Sequence, residues 1–93
     1  MNIEKYRFQQ NPEVIYTVLD KDEAALMHLG TKLSYALNQT GQRIWCFLNE
    51  GCAIDEVVER LLVEFDIERE QARKSVIRFI EELLSFKLIV SVK

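Results

Sequence analysis

The chain has 93 residues, 48% of them hydrophobic and 29% charged, with one proline and three glycines. That is a single domain of ordinary globular composition, able to bury roughly 60 to 65% of its unfolded surface, and neither disordered nor low in complexity. A formal net charge of −3 and a pI near 5.2 repel phosphate backbones and anionic membranes unless a local basic patch overrides them, which disfavours nucleic acid and membrane surfaces as partners.

Residues 1–12 are polar with scattered aromatics, Tyr6 and Phe8, and read as an N-terminal arm ahead of a domain over 13–93. They lack the apolar core of a signal peptide, and no run approaches the roughly 20 apolar residues of a membrane helix, so a cytoplasmic location is expected. Asn11-Pro12 marks a turn. Glu13 to Leu19 is rich in β-branched and aromatic residues that suit a half-buried pleated surface, and is the first predicted strand. The charged run Asp20 to Glu23 turns the chain. Ala24 to Leu29 and Lys32 to Leu37 are the second and third predicted strands, with Gly30-Thr31 between them favouring a hairpin.

At Leu37-Asn38-Gln39-Thr40-Gly41 the apolar period changes from alternation to every third or fourth residue, which divides the chain into a sheet followed by helices. Thr40 is the expected N-cap of a first helix over about 41–49, closed by Gly51, with Leu37, Gly41, Ile44, Trp45 and Leu48 on its buried face. A second helix over about 55–65 carries the stripe Ile54, Val57, Val58, Leu61, Leu62 and Phe65, with Asp55 and Glu56 suiting its N-terminal dipole. A third, over about 68–86, buries Ala72, Val76, Phe79, Ile80, Leu83 and Leu84, and leaves Ile77 on the shoulder of that stripe. Leu88 to Val92 forms a short terminal strand or a tail laid on the core.

Little in this pattern carries chemistry. Cys46 and Cys52 are six apart, with the single histidine distant at His28, which matches no zinc spacing; both cysteines read as packing residues and His28 as an ordinary, partly exposed strand residue. There is no nucleophile–base pair and no glycine-rich phosphate loop, so neither catalysis nor a cofactor is expected. The fold class is α+β: a three-stranded antiparallel sheet and three helices of winged helix-turn-helix type. The familiar use of that fold is DNA binding through the third helix, where Arg69, Arg73, Lys74 and Arg78 lie. Glu68, Glu70, Glu81 and Glu82 on the same helix favour a charge-mixed solvated face, and a DNA-binding regulator is kept as the alternative.

The run Tyr35 to Gly41, Ile44-Trp45, the Asn49-Glu50-Gly51 turn, Ile54 to Val58, Phe65-Asp66-Ile67, Phe79 to Leu83 and Leu88-Ile89 together resemble the PqqD family, coenzyme PQQ synthesis protein D. The likeness lies in order and spacing over about residues 13–90, no single motif being specific. Three positions depart from the family pattern: Ala53 for a capping Thr or Ser, Ser75 for an acid, and Lys87 for a glycine. The resemblance implies a RiPP recognition element, a small non-catalytic chaperone that binds the leader of a ribosomally made precursor and presents it to a modifying enzyme, such as a radical SAM enzyme or a leader peptidase. PQQ and lasso-peptide pathways both remain open.

Binding of this kind works by strand addition, in which main-chain hydrogen bonds give affinity and side-chain pockets give selectivity. The resemblance places the receiving edge at Lys32, Leu33, Ser34, Tyr35 and Ala36, beside a groove on the third helix. There Arg73, Lys74 and Arg78 are expected to attract acidic leader residues and Ile77 to offer an apolar contact. Two backbone parities are open for the edge, the set at Lys32, Ser34 and Ala36 or the set at Leu33 and Tyr35. An edge merely guarded by Lys32 is the plainer reading, and pairing with a second copy of the chain is left open.

Overall fold

A computed structural model of the chain describes residues 7–92; the first six residues of the expected arm and Lys93 lie outside them. The elements run β1 (Arg7–Gln10), β2 (Val14–Asp20), β3 (Glu23–His28), β4 (Ser34–Leu37), α1 (Gln39–Asn49), α2 (Ile54–Glu64), α3 (Arg69–Ser85) and β5 (Ile89–Val92). β2, β3 and β4 form an antiparallel sheet in that spatial order, and β1 pairs antiparallel with β5 in a second, two-stranded sheet. The expected α+β architecture, a small sheet followed by three helices, is present, and the C-terminal segment is a strand rather than a tail.

Within the expected arm, β1 sets Phe8 into the core at 2% exposure, and Arg7 ties it to the helices by donating to the Gly51 carbonyl and the Glu56 carboxylate. The core gathers Leu26 and Leu37 from the sheet, Ile44, Trp45 and Leu48 from α1, Val57 and Leu61 from α2, and Val76, Ile80 and Leu83 from α3. These are the apolar positions that the helical period picks out, because one stripe of each helix has to meet the common core, α1 against the sheet and α2 against α1 and α3. Trp45 is 1% exposed and stacks on Tyr16 of β2, ring centroids 6.4 Å apart.

Three local expectations are corrected. The N-cap of α1 is Asn38, not Thr40: its Oδ1 accepts from the Gly41 N–H at 2.8 Å, so the helix starts two residues earlier than expected. Both residue types cap well, and the extended backbone of Asn38 decides between them. Gly41 allows the close approach here, since a Cβ on it would lie 3.3 Å from the Asn38 oxygen and 3.4 Å from Leu37. The third strand starts at Ser34, not Lys32, because Lys32 takes a left-handed φ of 66° inside a longer turn. His28, expected to be partly exposed, is buried at 5% and shapes that turn: its Nδ1 accepts from the Gly30 and Thr31 N–H groups at 3.0 and 3.2 Å.

α1 and α3 end in the same way. After α1, the Gly51 N–H donates to Leu48 O and the Cys52 N–H to Phe47 O, with Gly51 at φ 87°. After α3, the Lys87 N–H donates to Leu84 O and the Leu88 N–H to Leu83 O, with Lys87 at φ 60°. Both are Schellman closures, whose left-handed residue is glycine by preference because a Cβ crowds the following carbonyl. The departure of Lys87 from the family pattern is thus a strained lysine at a glycine position. Lys87→Gly is expected to stabilise the domain by about 0.5–1 kcal/mol. A urea melt checks this, the midpoint rising at unchanged slope.

Candidate functional site

β4 has a neighbour on one side only. In its register with β3, Leu26 faces Tyr35 and Ala24 faces Leu37, while Met27 faces Ser34 and Ala25 faces Ala36. The His28 N–H donates to Leu33 O at 3.0 Å, which makes 28 and 33 a hydrogen-bonded pair. Bonded and non-bonded pairs alternate along an antiparallel ladder, so the backbone groups of Tyr35 and Leu37 point at β3 and those of Ser34 and Ala36 point away from it. Of the two parities, the structure has the one that contains Ser34 and Ala36. Lys32 lies in the turn, and Leu33 turns its carbonyl toward β3. The side chains alternate as well: Leu37 is buried and Tyr35 half-buried on the inner face, whereas Ser34 and Ala36 are exposed on the outer one.

Between β4, the start of α1 and α3 lies a groove of about 570 Å³. Tyr35, Ala36 and Leu37 form one wall, Asn38, Thr40, Gly41 and Ile44 the end near α1, and Ser75 and Phe79 the opposite wall, with Glu23 at the margin. The α3 side continues past the groove as Glu82 and Phe86. Tyr35 stands 6.1 Å from Phe79 and 5.6 Å from Phe86 between ring centroids, and its hydroxyl donates to Glu82. Ser75, Phe79, Glu82 and Phe86 recur at i, i+4, i+7 and i+11, and so lie within about 60° of one another on the helix, on the flank of the core stripe. That recurrence was readable in the sequence, but with Phe79 counted as core and Glu82 as solvated, it gave no sign of a separate wall.

The expected α3 contacts are divided by the helix rotation. Arg78 lies about 100° from Phe79 on the groove side, at the rim. Arg73 lies about 120° away on the other flank, where its guanidinium meets Asp55 of α2 at 3.1 Å. Ile77 packs half-buried on the core on that same side, and Lys74 points outward near Glu70, at 3.8 Å. Arg69 is bound to Glu59. Of the expected residues the groove therefore takes in Tyr35 and Ala36, whereas Arg73, Lys74, Ile77 and Arg78 lie outside its lining, Arg78 being on the flank of α3 nearer to it. The same ion pairs set carboxylates beside Arg69, Arg73 and Lys74, which lowers the positive field that a DNA-reading helix needs.

Elsewhere the charged groups serve the scaffold. Arg43 forks onto Glu64 through two bonds of 2.8 Å, Arg60 reaches Glu50, and both guanidinium groups lie over the Phe47 ring. The Ala53 N–H, and after it Arg7, hold the Glu56 carboxyl below its ordinary range, so Glu56 caps α2 at a position where Ala53 has no side-chain acceptor. Cys46 and Cys52 are free thiols, the latter raised above its ordinary pKa by burial. Among the described residues no group of three or more His, Cys, Asp or Glu is placed to hold a metal, and no helix is long and apolar enough to cross a membrane.

Burial first, and then the bond to Glu82, push the Tyr35 phenol up to about 12. A tyrosine raised in the folded state favours its neutral form there, so its contribution is complete below the unfolded value near 10 and is lost as pH climbs from about 10 to 12. Tyr35→Phe is therefore expected to flatten the alkaline limb of a stability–pH profile, leaving the parts due to Tyr16 and the Cys52 thiol, both of which burial also raises. Urea midpoints for both proteins between neutral pH and pH 12 measure the difference.

Residues 23–89 match the family model for coenzyme PQQ synthesis protein D (PqqD). Among solved structures, the chain is similar to TbiB1 in complex with the TbiA(beta) leader peptide, at 28% identity and TM-score 0.80, over 87% of this chain and 93% of that one. It shares its fold with lasso peptide synthetase B1 complexed with the leader peptide, at 21% identity and TM-score 0.82, over 90% of this chain and 98% of that one. No curated protein matches it. The family model spans more than half of the sequence and takes in β3, β4, the three helices and the first residue of β5, so the chain belongs to the PqqD family.

Proposed function

We propose that this domain is a non-catalytic peptide-binding module, which holds the leader segment of a ribosomally made precursor peptide as an added strand on β4 and presents it to a modifying enzyme. One observation carries the reading: β4 is an edge strand without a charged side chain, whose Ser34 and Ala36 backbone groups point away from β3 beside an open groove. Natural proteins blunt unpaired edges with charges, bulges, cover or short strands, and β4, though only four residues long, carries no charge or bulge within Ser34–Leu37. The 28% identical relative, solved with a leader peptide, supports the same use of this fold.

Magnitudes give the groove and the edge separate tasks. A strand added opposite Ser34 and Ala36 makes about four main-chain bonds, each worth roughly 0.5–1.5 kcal/mol net, whatever its sequence. Immobilising a flexible peptide costs about as much or more. The surplus has to come from side chains entering the groove, at about 1.5–3 kcal/mol for each one fully buried. In such a complex the peptide residue opposite Tyr35 shares its face and meets the Tyr35–Phe79 wall, so selectivity rests there. Arg78 at the rim acts mainly on association rate and salt dependence.

Titration with the leader encoded beside this chain, and separately with duplex DNA at low salt, tests the reading. Peptide binding without salt-steep DNA binding is the expected outcome. Submicromolar DNA binding that falls steeply with salt, with no peptide binding, would sink it in favour of a transcriptional regulator. The strand mechanism has its own test: Ser34→Pro and Ala36→Pro remove outward N–H groups while sparing the β3 ladder, and are expected to weaken the peptide tenfold or more, by about 1.4 kcal/mol. Ser34→Ala keeps the backbone and should bind as the parent does. Folded proline variants that bind normally would place the receptor on another surface.

A further inference from the structure

His28 is the single histidine of the chain, and no other side-chain type ordinarily changes charge between about pH 5 and 8. It ends β3 at 5% exposure, where three turns meet. Within its own turn the ring Nδ1 accepts from the Gly30 and Thr31 N–H groups at 3.0 and 3.2 Å. Across the ring stands Asn11 of the β1–β2 turn, its Nδ2 3.4 Å from Nε2. The orientation of that amide is fixed. Its Oδ1 accepts from the Glu13 N–H at 2.9 Å, and its Nδ2 donates to the Lys87 carbonyl, in the turn after α3, at 2.8 Å. Every hydrogen-bonding group that the described residues set against the ring nitrogens is thus a donor. A neutral imidazole carries one proton, which belongs on Nε2, the nitrogen facing one donor at the longer distance. A second proton would have to go on Nδ1, pointing at two N–H groups.

We propose that His28 is the positioning residue of the receiving edge and makes that edge sensitive to acid. Neutral, it closes the β3–β4 turn from which β4 starts; protonated, it opens the turn and weakens peptide binding. The proposal rests on the peptide-binding reading above. The turn is strained, since Lys32 holds a left-handed φ of 66° that a residue with a Cβ adopts only when its surroundings enforce it. The ring bonds enforce it together with the Lys32 N–H on His28 O at 2.8 Å and the Leu33 N–H on the Thr31 hydroxyl at 3.2 Å. Ser34, whose outward backbone groups open the edge, is two residues beyond Lys32, so relaxation there displaces the first bonding position of β4. Glu13 is the titratable group beside the ring. One of its carboxylate oxygens lies 3.6 Å from where a Gly30 Cβ would stand, and the ring Cε1 3.0 Å from the same point. That carboxylate belongs to an exposed residue and is screened by water, so it attracts an imidazolium weakly, whereas the two N–H groups oppose the Nδ1 proton at hydrogen-bond distance. Lys32 and Lys87 enter the cluster through backbone groups. The open turn accepts the second proton more readily than the closed one, and by linkage it gains population as pH falls.

The test uses the full chain and the leader peptide encoded beside it. Leader affinity is measured by fluorescence anisotropy at about pH 7.5 and about pH 5.5, for the parent and for His28→Asn. The asparagine oxygen accepts from the N–H two residues on, as Nδ1 does, but takes up no proton. The parent is expected to lose about tenfold in affinity at the lower pH. His28→Asn should bind equally at both, which also separates any titration of the peptide itself. Hydrogen exchange on the free parent reads the turn without the peptide: protection of the Gly30, Thr31 and Lys32 amides should fall about tenfold over the same range while that of α3 holds. Parent affinity that does not change with pH, or an equal fall in His28→Asn, overturns the proposal. So does an imidazole NMR spectrum that places the neutral proton on Nδ1. Should His28→Asn not fold, the parent exchange decides: a selective fall in the turn supports the proposal, and unchanged protection overturns it. A parent that binds no leader at pH 7.5 takes down the peptide-binding reading and the coupling with it, while turn protection still reports what the proton does to the turn.

Discussion

A strand bonded on one side leaves every second residue with its amide and carbonyl directed away from the sheet. In β4 these residues are Ser34 and Ala36, and the features around them follow from keeping that edge straight and open. β3 fixes the register. Tyr35, on the opposite parity, reaches inward to Phe79, Phe86 and Glu82, and ties the strand to α3 across the groove. An edge held at one flank by a sheet and below by an aromatic contact is ordered without a ligand. On the proposed peptide-binding reading, the ordering cost of binding falls on the peptide alone.

Both ends of β4 are set by local hydrogen bonding that the strand pattern does not contain. At its start, the His28 ring accepts from two backbone N–H groups and its own carbonyl accepts from the Lys32 N–H, which closes the turn around a left-handed Lys32. A Cβ on Gly30 would lie 3.0 Å from that ring, so the glycine is there for space. At its end, Asn38 leaves the strand and caps α1 in one residue, bringing the start of the helix into the groove. A strand of four residues between two such fixed points has little freedom to slip.

The third helix divides three tasks among its faces. Ala72, Val76, Ile80 and Leu83 are fully buried in the core, Ser75 and Phe79 line the groove, and Arg69 and Arg73 join α2 through Glu59 and Asp55. Exposed ion pairs of this kind contribute at most about 1 kcal/mol each to stability. Their larger effect is on the surface potential, since they occupy the cations that would otherwise make this helix attractive to phosphate.

The three-stranded sheet followed by three helices, the helical core stripes and the acidic balance were legible in the sequence, because apolar periodicity and composition are properties of neighbouring residues, whereas β1 was not. The family was legible too, in the spacing from Tyr35 to Leu88. What the sequence left open depends on contacts between distant residues. It pointed to Thr40 as the cap of α1, and the extended backbone of Asn38 moved the cap two residues earlier. It offered two parities for β4, and the bond from His28 to Leu33 chose. It placed Arg73, Lys74, Ile77 and Arg78 together on one helix, while the rotation of α3 sent Arg73 to Asp55 of α2 and Ile77 onto the core, and left Arg78 on the groove flank outside the lining. Helical period sets which residues share a face, but only packing against the sheet and α2 decides where that face points, since a turn of 100° costs one residue in sequence and a different partner in space.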